Sequence, residues 1–154
     1  MAIGILEVNL VDAKGLQDTD LIGKSDPYVV IRYRGQERQS STARDGGRDP
    51  IWNERFTFRA EYPGSGHGHH KLTFRIMDKD TFSSDDFLGE ASIYVEDLLA
   101  MGVENGSAEM HPERHRVVLA DQSYWGHIRV GLTFTPKDEV AADEDIGGWK
   151  QSGL

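Results

Sequence analysis

The sequence predicts an all-β protein, an eight-stranded antiparallel β-sandwich with one short helix. Short segments carry apolar residues at every second position, clusters of Gly, Pro and Asp separate them, and only one window has a helical pattern. The 154 residues suit a single domain with one core.

Taken in order, Leu6, Val8 and Leu10 alternate with Glu7, Asn9 and Asp12 over residues 5 to 12, a half-buried strand that the turn signal Ala13-Lys14-Gly15 closes. Residues 16 to 27 read as a loop, because the segment is acidic and Asp26-Pro27 disfavours a helix. Tyr28 to Arg34 is rich in β-formers, and Arg38 to Ala43 has the Ser and Thr content of an edge strand. Gly46-Gly47-Arg48-Asp49-Pro50 is a turn. Phe56 and Phe58 share one face of a strand over 52 to 59; Leu72, Phe74 and Ile76 share one face over 71 to 77. The glycine-rich segment 64 to 70 between them is a loop whose His67, His69 and His70 are spaced for zinc but held by nothing rigid.

Residues 88 to 94 form the next strand. Val95 to Met101, followed by Gly102, reads as a short helix with a glycine stop. Residues 103 to 113 read as loop, 116 to 119 as a short strand, and the alternation of Ile128, Val130, Leu132 and Phe134 as the last strand. The domain spans residues 1 to 135. The acidic stretch 136 to 154, with Trp149 as its one large apolar group, reads as a solvated tail.

With no cysteine there is no disulfide framework, thiolate metal site or cysteine nucleophile. Neither a leader nor an apolar run of bilayer length is evident, so a soluble, cytoplasmic protein is expected. The net charge of -9 argues against a general nucleic-acid binder.

The candidate site is carboxylate-rich. Asp78, Asp80, Asp85 and Asp86 crowd one loop, and carboxylates held close together destabilise one another unless a cation neutralises them. The loop is not an EF-hand, since Ser83 and Gly89 stand where glycine and glutamate are needed. Gly23-Lys24-Ser25 is not a phosphate-binding loop either, since Asp18 stands at the first glycine position. Asp78 and Asp80 point to one side of a strand end, Asp86 returns to it, and Asp20 and Asp26 flank the tip of an earlier loop. Five such carboxylates offer the hard oxygens of a Ca²⁺ site. The apolar tips Leu21, Ile22 and Phe82 have no core to enter and suit a membrane interface. Arg32, Arg34, Arg38 and Arg44 form a possible basic, head-group-binding face diluted by Gln36, Glu37 and Gln39.

Three segments in order, Asp20 with Asp26-Pro27-Tyr28, then Asp49-Pro50-Ile51-Trp52-Asn53-Glu54, then Asp78-Lys79-Asp80 with Asp86-Phe87-Leu88-Gly89, closely resemble the C2 domain over residues 4 to 135. The resemblance extends to the small plant C2 proteins of the elicitor-responsive and phloem kinds. It implies the permuted topology called type II, calcium on Asp20, Asp26, Asp78, Asp80 and Asp86 with backbone carbonyls of Thr19 and Lys79, and calcium-dependent phospholipid binding. Asp18 and Asp85 would then tune the field. It further implies a monomeric, non-enzymatic module in plant defence signalling that moves from the cytoplasm to the cell membrane when calcium rises. A protein or RNA interaction module using the arginine face is the alternative from another class, and a metal-dependent hydrolase a third; neither a base nor a nucleophile motif supports the last.

Overall fold

A computed structural model describes residues 2–17, 24–63 and 70–137. Eight antiparallel strands run in the order β3-β2-β5-β6-β7-β8-β1-β4. They are β1 (Ala2–Lys14), β2 (Pro27–Tyr33), β3 (Gln36–Gln39), β4 (Ile51–Tyr62), β5 (Lys71–Asp78), β6 (Asp86–Tyr94), β7 (Ala108–Val118) and β8 (Tyr124–Lys137), with α1 (Glu96–Asn105) between β6 and β7. One residue pair, Glu90 with Val118, joins β6 to β7. The order therefore divides there into two four-stranded halves, β3-β2-β5-β6 and β7-β8-β1-β4, the two sheets of the expected sandwich. The first strand lies beside the last, with Ile3 opposite Lys137, as the permuted topology requires.

The alternating side chains fill the space between the sheets. Leu6, Val8 and Leu10 of β1, Val29 and Ile31 of β2, Phe74 and Ile76 of β5 and Val130 and Phe134 of β8 are buried in one cluster. Because β1 and β5 end at Lys14 and Asp78 while β2, β6 and β8 begin at Pro27, Asp86 and Tyr124, the connections β1–β2, β5–β6 and β7–β8 emerge at the same end.

Several boundaries differ from the sequence reading; β4 runs on to Tyr62, and β8 spans Tyr124–Lys137, past the expected domain end at 135. β1 runs on to Lys14 through an irregularity between Leu10 and Asp12, so the turn starts at Gly15. The edge strand is Gln36–Gln39, fixed by the tight turn at Arg34-Gly35, rather than 38 to 43. Residues 108 to 113 are strand rather than loop: β7 pairs with β8 from Ala108 onward, but its mostly exposed, polar side chains and the irregularity beside Pro112 conceal any alternation. The helix does not stop at Gly102. It continues to Asn105 and ends on Gly106, whose φ of 88° is the left-handed conformation of a helix stop.

Gly102 is instead a packing glycine. A Cβ there would lie 2.5 Å from Cδ2 of Phe134. Alanine normally favours a helix over glycine by about 1 kcal/mol, whereas overpacking a core costs about 1–3 kcal/mol. Phe134 is fully buried and has little room to yield, so Gly102→Ala should lower the chemical-denaturation midpoint at an unchanged m-value. A gain in stability would show that α1 shifts freely over β8.

Candidate calcium and membrane site

The site begins with the pairing of β2 and β5, which sets Pro27 opposite Asp78, while β5 and β6 set Asp78 opposite Asp86. Three carboxylate-bearing segments thus meet at one end of the sandwich. Asp78 is 2% exposed, and its Oδ1 accepts the Asp26 amide at 2.9 Å. The Lys79 amide donates to the Asp26 carbonyl at 3.0 Å. Asp26, half-buried, turns its own Oδ1 to the Asp45 amide at 2.7 Å.

The 40–50 connection buttresses this arrangement from beside it. The Ala43 amide donates to the Pro27 carbonyl, Gly47 donates to Ser25, and the Trp52 indole donates to the Pro27 carbonyl at 3.3 Å. Asp49 of the same connection accepts the Gly15 amide at 3.0 Å, tying it to the end of β1.

Within the β5–β6 loop, Asp80 folds over its own tip. Its Oδ1 accepts the amides of Phe82 at 2.9 Å and Ser83 at 3.2 Å, and its Oδ2 accepts the Ser83 hydroxyl at 2.8 Å. Those donors, the Phe82 amide foremost, hold the Asp80 carboxyl below the usual carboxylate range. Asp85 is a brace: Oδ1 accepts the Asp80 amide at 2.9 Å, Oδ2 accepts the Tyr28 hydroxyl, and the Lys79 ammonium lies 3.9 Å away. The Asp80 amide is the main cause of Asp85's lowered pKa, with the Tyr28 hydroxyl next. Burial, then the bond to Asp85, pushes the Tyr28 phenol up to about 12. Asp86 is exposed, and Phe82 stands 97% exposed at the tip.

Of the expected ligands, Asp26, Asp78, Asp80 and Asp86 are brought to one end of the fold. Asp20 and Thr19, with Asp18 and the tips Leu21 and Ile22, lie outside the described residues, as do His67, His69 and Trp149. Among the described residues no group of three His, Cys, Asp or Glu is gathered closely enough to hold a metal ion. Asp80 is turned toward its loop amides, and Asp26 toward Asp45. The donors are nonetheless all hard oxygens, which suits calcium rather than zinc.

The arginine face is dispersed. Arg32 pairs with Glu37 at 2.6 Å, Arg34 sits in the β2–β3 turn, and Arg44 is exposed beyond β3. Arg38 lies over the Phe58 ring at 5.0 Å, where burial lowers its pKa. His70 is bound in place, its Nε2 2.7 Å from the Pro63 carbonyl oxygen. Sequence reasoning missed the roles of Asp45, Tyr28 and Asp85 in fixing the loops. Only the aspartate density of the β5–β6 loop hinted at Asp85.

Residues 4–111 match the family model for the C2 domain. The chain is 56% identical to elicitor-responsive protein 1 of Oryza sativa subsp. japonica, over 97% of this chain and 96% of that one. It is 51% identical to 16 kDa phloem protein 1 of Arabidopsis thaliana, over 99% and 98%. Among solved structures, a C2 domain-containing protein from a putative elicitor-responsive gene matches at 38% identity with a TM-score of 0.69, covering 90% of this chain and 93% of that one. The calcium-bound C2A and C2B domains of extended synaptotagmin 2 match at 28% identity and a TM-score of 0.64, covering 87% of this chain and 46% of that one.

The Tyr28–Asp85 bond can be tested in metal-free protein. In a carboxyl-carbon NMR titration, Asp85 should titrate below the ordinary aspartate range, so the stability it contributes is present above that range and lost as pH falls through its midpoint. Tyr28→Phe should move that midpoint upward and leave Asp80 depressed by its own amides. An unmoved Asp85 would show that the phenol does not hold it.

Proposed function

The chain belongs to the C2 domain family, and on that premise we propose that it is a non-catalytic, calcium-dependent phospholipid-binding module. The observation that carries the reading is the buried Asp78, bonded to the Asp26 amide and set opposite Asp86, beneath a loop whose Phe82 tip is 97% exposed. Asp26, Asp78, Asp80 and Asp86, with Asp20, would supply the carboxylate oxygens, and the carbonyls of Thr19 and Lys79 would supplement them. Bound calcium would cancel the loops' negative charge and offer coordination positions to lipid phosphate oxygens.

Asp80 has its second task ready. Its oxygens now bond the Phe82 and Ser83 amides, so ligation would compete with the contacts that set the tip's shape, linking Phe82's presentation to the ion. Phe82, Leu21 and Ile22 would enter the interface. Because lipid would complete the coordination, membrane and ion should strengthen each other's binding equally. The name of the rice relative supports a place in plant defence signalling, and the calcium-bound state of the synaptotagmin neighbour supports calcium as the ion; the module would be monomeric, cytoplasmic at rest and drawn to the cell membrane when calcium rises. No described helix is long and apolar enough to cross a membrane.

Vesicle co-sedimentation with calcium and with chelator is the direct test. Anionic vesicles should lower the calcium midpoint; a midpoint indifferent to lipid removes the lipid-ligand step. Asp80→Asn, which keeps an oxygen for the Phe82 and Ser83 amides, should raise the calcium midpoint at least about tenfold with folding intact. Phe82→Ala should leave calcium binding in solution unchanged and weaken vesicle binding roughly tenfold, as expected for part of a phenylalanine's burial. Equal vesicle binding by Phe82→Ala and wild type would refute insertion of the tip.

A further inference from the structure

We propose that the outer face of strands β7, β8 and β1 is a second membrane contact, one that engages an anionic bilayer surface without calcium. Strand register builds it. Lys14 of β1 stands opposite His127 of β8, which stands opposite Arg116 of β7; in the next row outward, Asp12, Arg129 and Arg114 are aligned in the same way. The intervening Ala13 and Ile128 are buried, so both rows lie on the solvent side of the sheet. Lys14, Arg114, Arg116 and Arg129 are exposed.

Charge accumulates there because only one carboxylate is built into the rows. Asp12 is taken by Arg129, whose Nη2 lies 3.0 Å from Oδ2 and whose Nε lies 3.3 Å from Oδ1. Among the described residues no ion pair occupies Lys14, Arg114 or Arg116. Arg48 borders the same groove as Lys14, Trp125 and His127. Around the rows, Glu90 lines the adjoining groove with Arg114 and Arg116, Glu113 lies near His115, Asp49 accepts the Gly15 amide beside Arg48 and Asp121 sits in the β7–β8 turn; the surplus lies in the rows themselves, where Lys14, Arg114, Arg116 and Arg129 face Asp12 alone.

Exposed apolar groups accompany the cations. Trp125 is 47% exposed, Tyr124 61% and Ile51, opposite Asp12 on β4, 66%. Arg116 lies over the Tyr124 ring at 5.1 Å. Trp125 and Tyr124 share their grooves with the cations, and with Ile51 they give the face an apolar edge toward the loop end, as the interfacial region of a bilayer accommodates. The β7–β8 turn also emerges at the same end as Phe82. The choice of a bilayer as partner rests on the membrane-facing reading of that end; the cationic rows do not.

The test is partition of the full chain onto phosphatidylcholine vesicles with and without phosphatidylserine, at low ionic strength in chelator. Wild type should bind only the phosphatidylserine vesicles. The variant Lys14→Gln, Arg114→Gln, Arg116→Gln should bind them on the order of a hundredfold more weakly, since each basic residue near an anionic surface contributes about a fivefold factor. Arg32→Gln, Arg44→Gln, Arg75→Gln, a charge-matched control of exposed residues off this face, should lose far less, and Trp125→Ala should weaken binding with no change of salt dependence. Circular dichroism and thermal melts establish that each variant is folded.

The proposal is overturned if the first variant and the control bind alike, or if wild type does not distinguish the two vesicles in chelator. It is also overturned if the first variant keeps vesicle binding but loses binding to an RNA oligonucleotide, which would make the face a nucleic-acid surface. Asp80→Asn separates the two membrane readings: it should move the calcium-dependent increment to at least about tenfold higher calcium and leave binding in chelator intact. If wild type lacks the increment while binding in chelator still depends on Lys14, Arg114 and Arg116, the calcium reading fails and this one stands.

Discussion

The loop end of the sandwich depends on one buried carboxylate. Asp78 is 2% exposed, and a charge in such a position costs several kcal/mol unless donors compensate it. The Asp26 amide is one such donor, and the reciprocal bond from the Lys79 amide to the Asp26 carbonyl closes a clamp between the end of the β1–β2 loop and the start of the β5–β6 loop, 52 residues apart in sequence. The backbone must hold this register to keep Asp78 satisfied. Asp26, Asp80 and Asp86 are therefore carried to one end of the fold by the demands of folding.

A second layer of bonds changes the meaning of the acidic loop. Crowded carboxylates suggest a site waiting for a cation, yet here amides and hydroxyls already satisfy much of the charge. Asp80 takes two amides and the Ser83 hydroxyl; Asp85 takes the Asp80 amide and the Tyr28 hydroxyl, with Lys79 near by. Asp85 is thus a structural brace rather than a source of field alone. Both carboxyls are held below the ordinary range, so the loop keeps its negative charge by bonding it to its own backbone.

The legible parts of the chain were those with local signals. Period-two alternation identified the core strands, as at Leu6, Val8 and Leu10 or Leu72, Phe74 and Ile76, because burial on one face imposes it. β7 escaped because most of its side chains between Glu109 and Arg116 face solvent and leave no period to read. Gly102 misled because glycine serves both as a helix stop and as a close-approach residue, and only the position of Phe134 distinguishes them. The aspartates were legible as a set, but the amides that hold Asp26 and Asp80 were not, since any residue type can donate one.

The cations show the same contrast between local pattern and three-dimensional register. Arg32, Arg34 and Arg38 cluster in sequence yet scatter in space, one paired with Glu37 and another laid on Phe58. Lys14 and Arg116 are far apart in sequence yet share a row across three strands. This matters for how a chain of net charge -9 could meet an anionic surface at all. Beyond the Debye length, about 8 Å at physiological ionic strength, charges are screened, so a surface responds to the face presented and not to the total. Turned loops-first, the protein would present carboxylates, and its approach would depend on their neutralisation. Tilted toward β7, β8 and β1, it would present Lys14, Arg114 and Arg116, and those cations would offset the repulsion from the neighbouring loops.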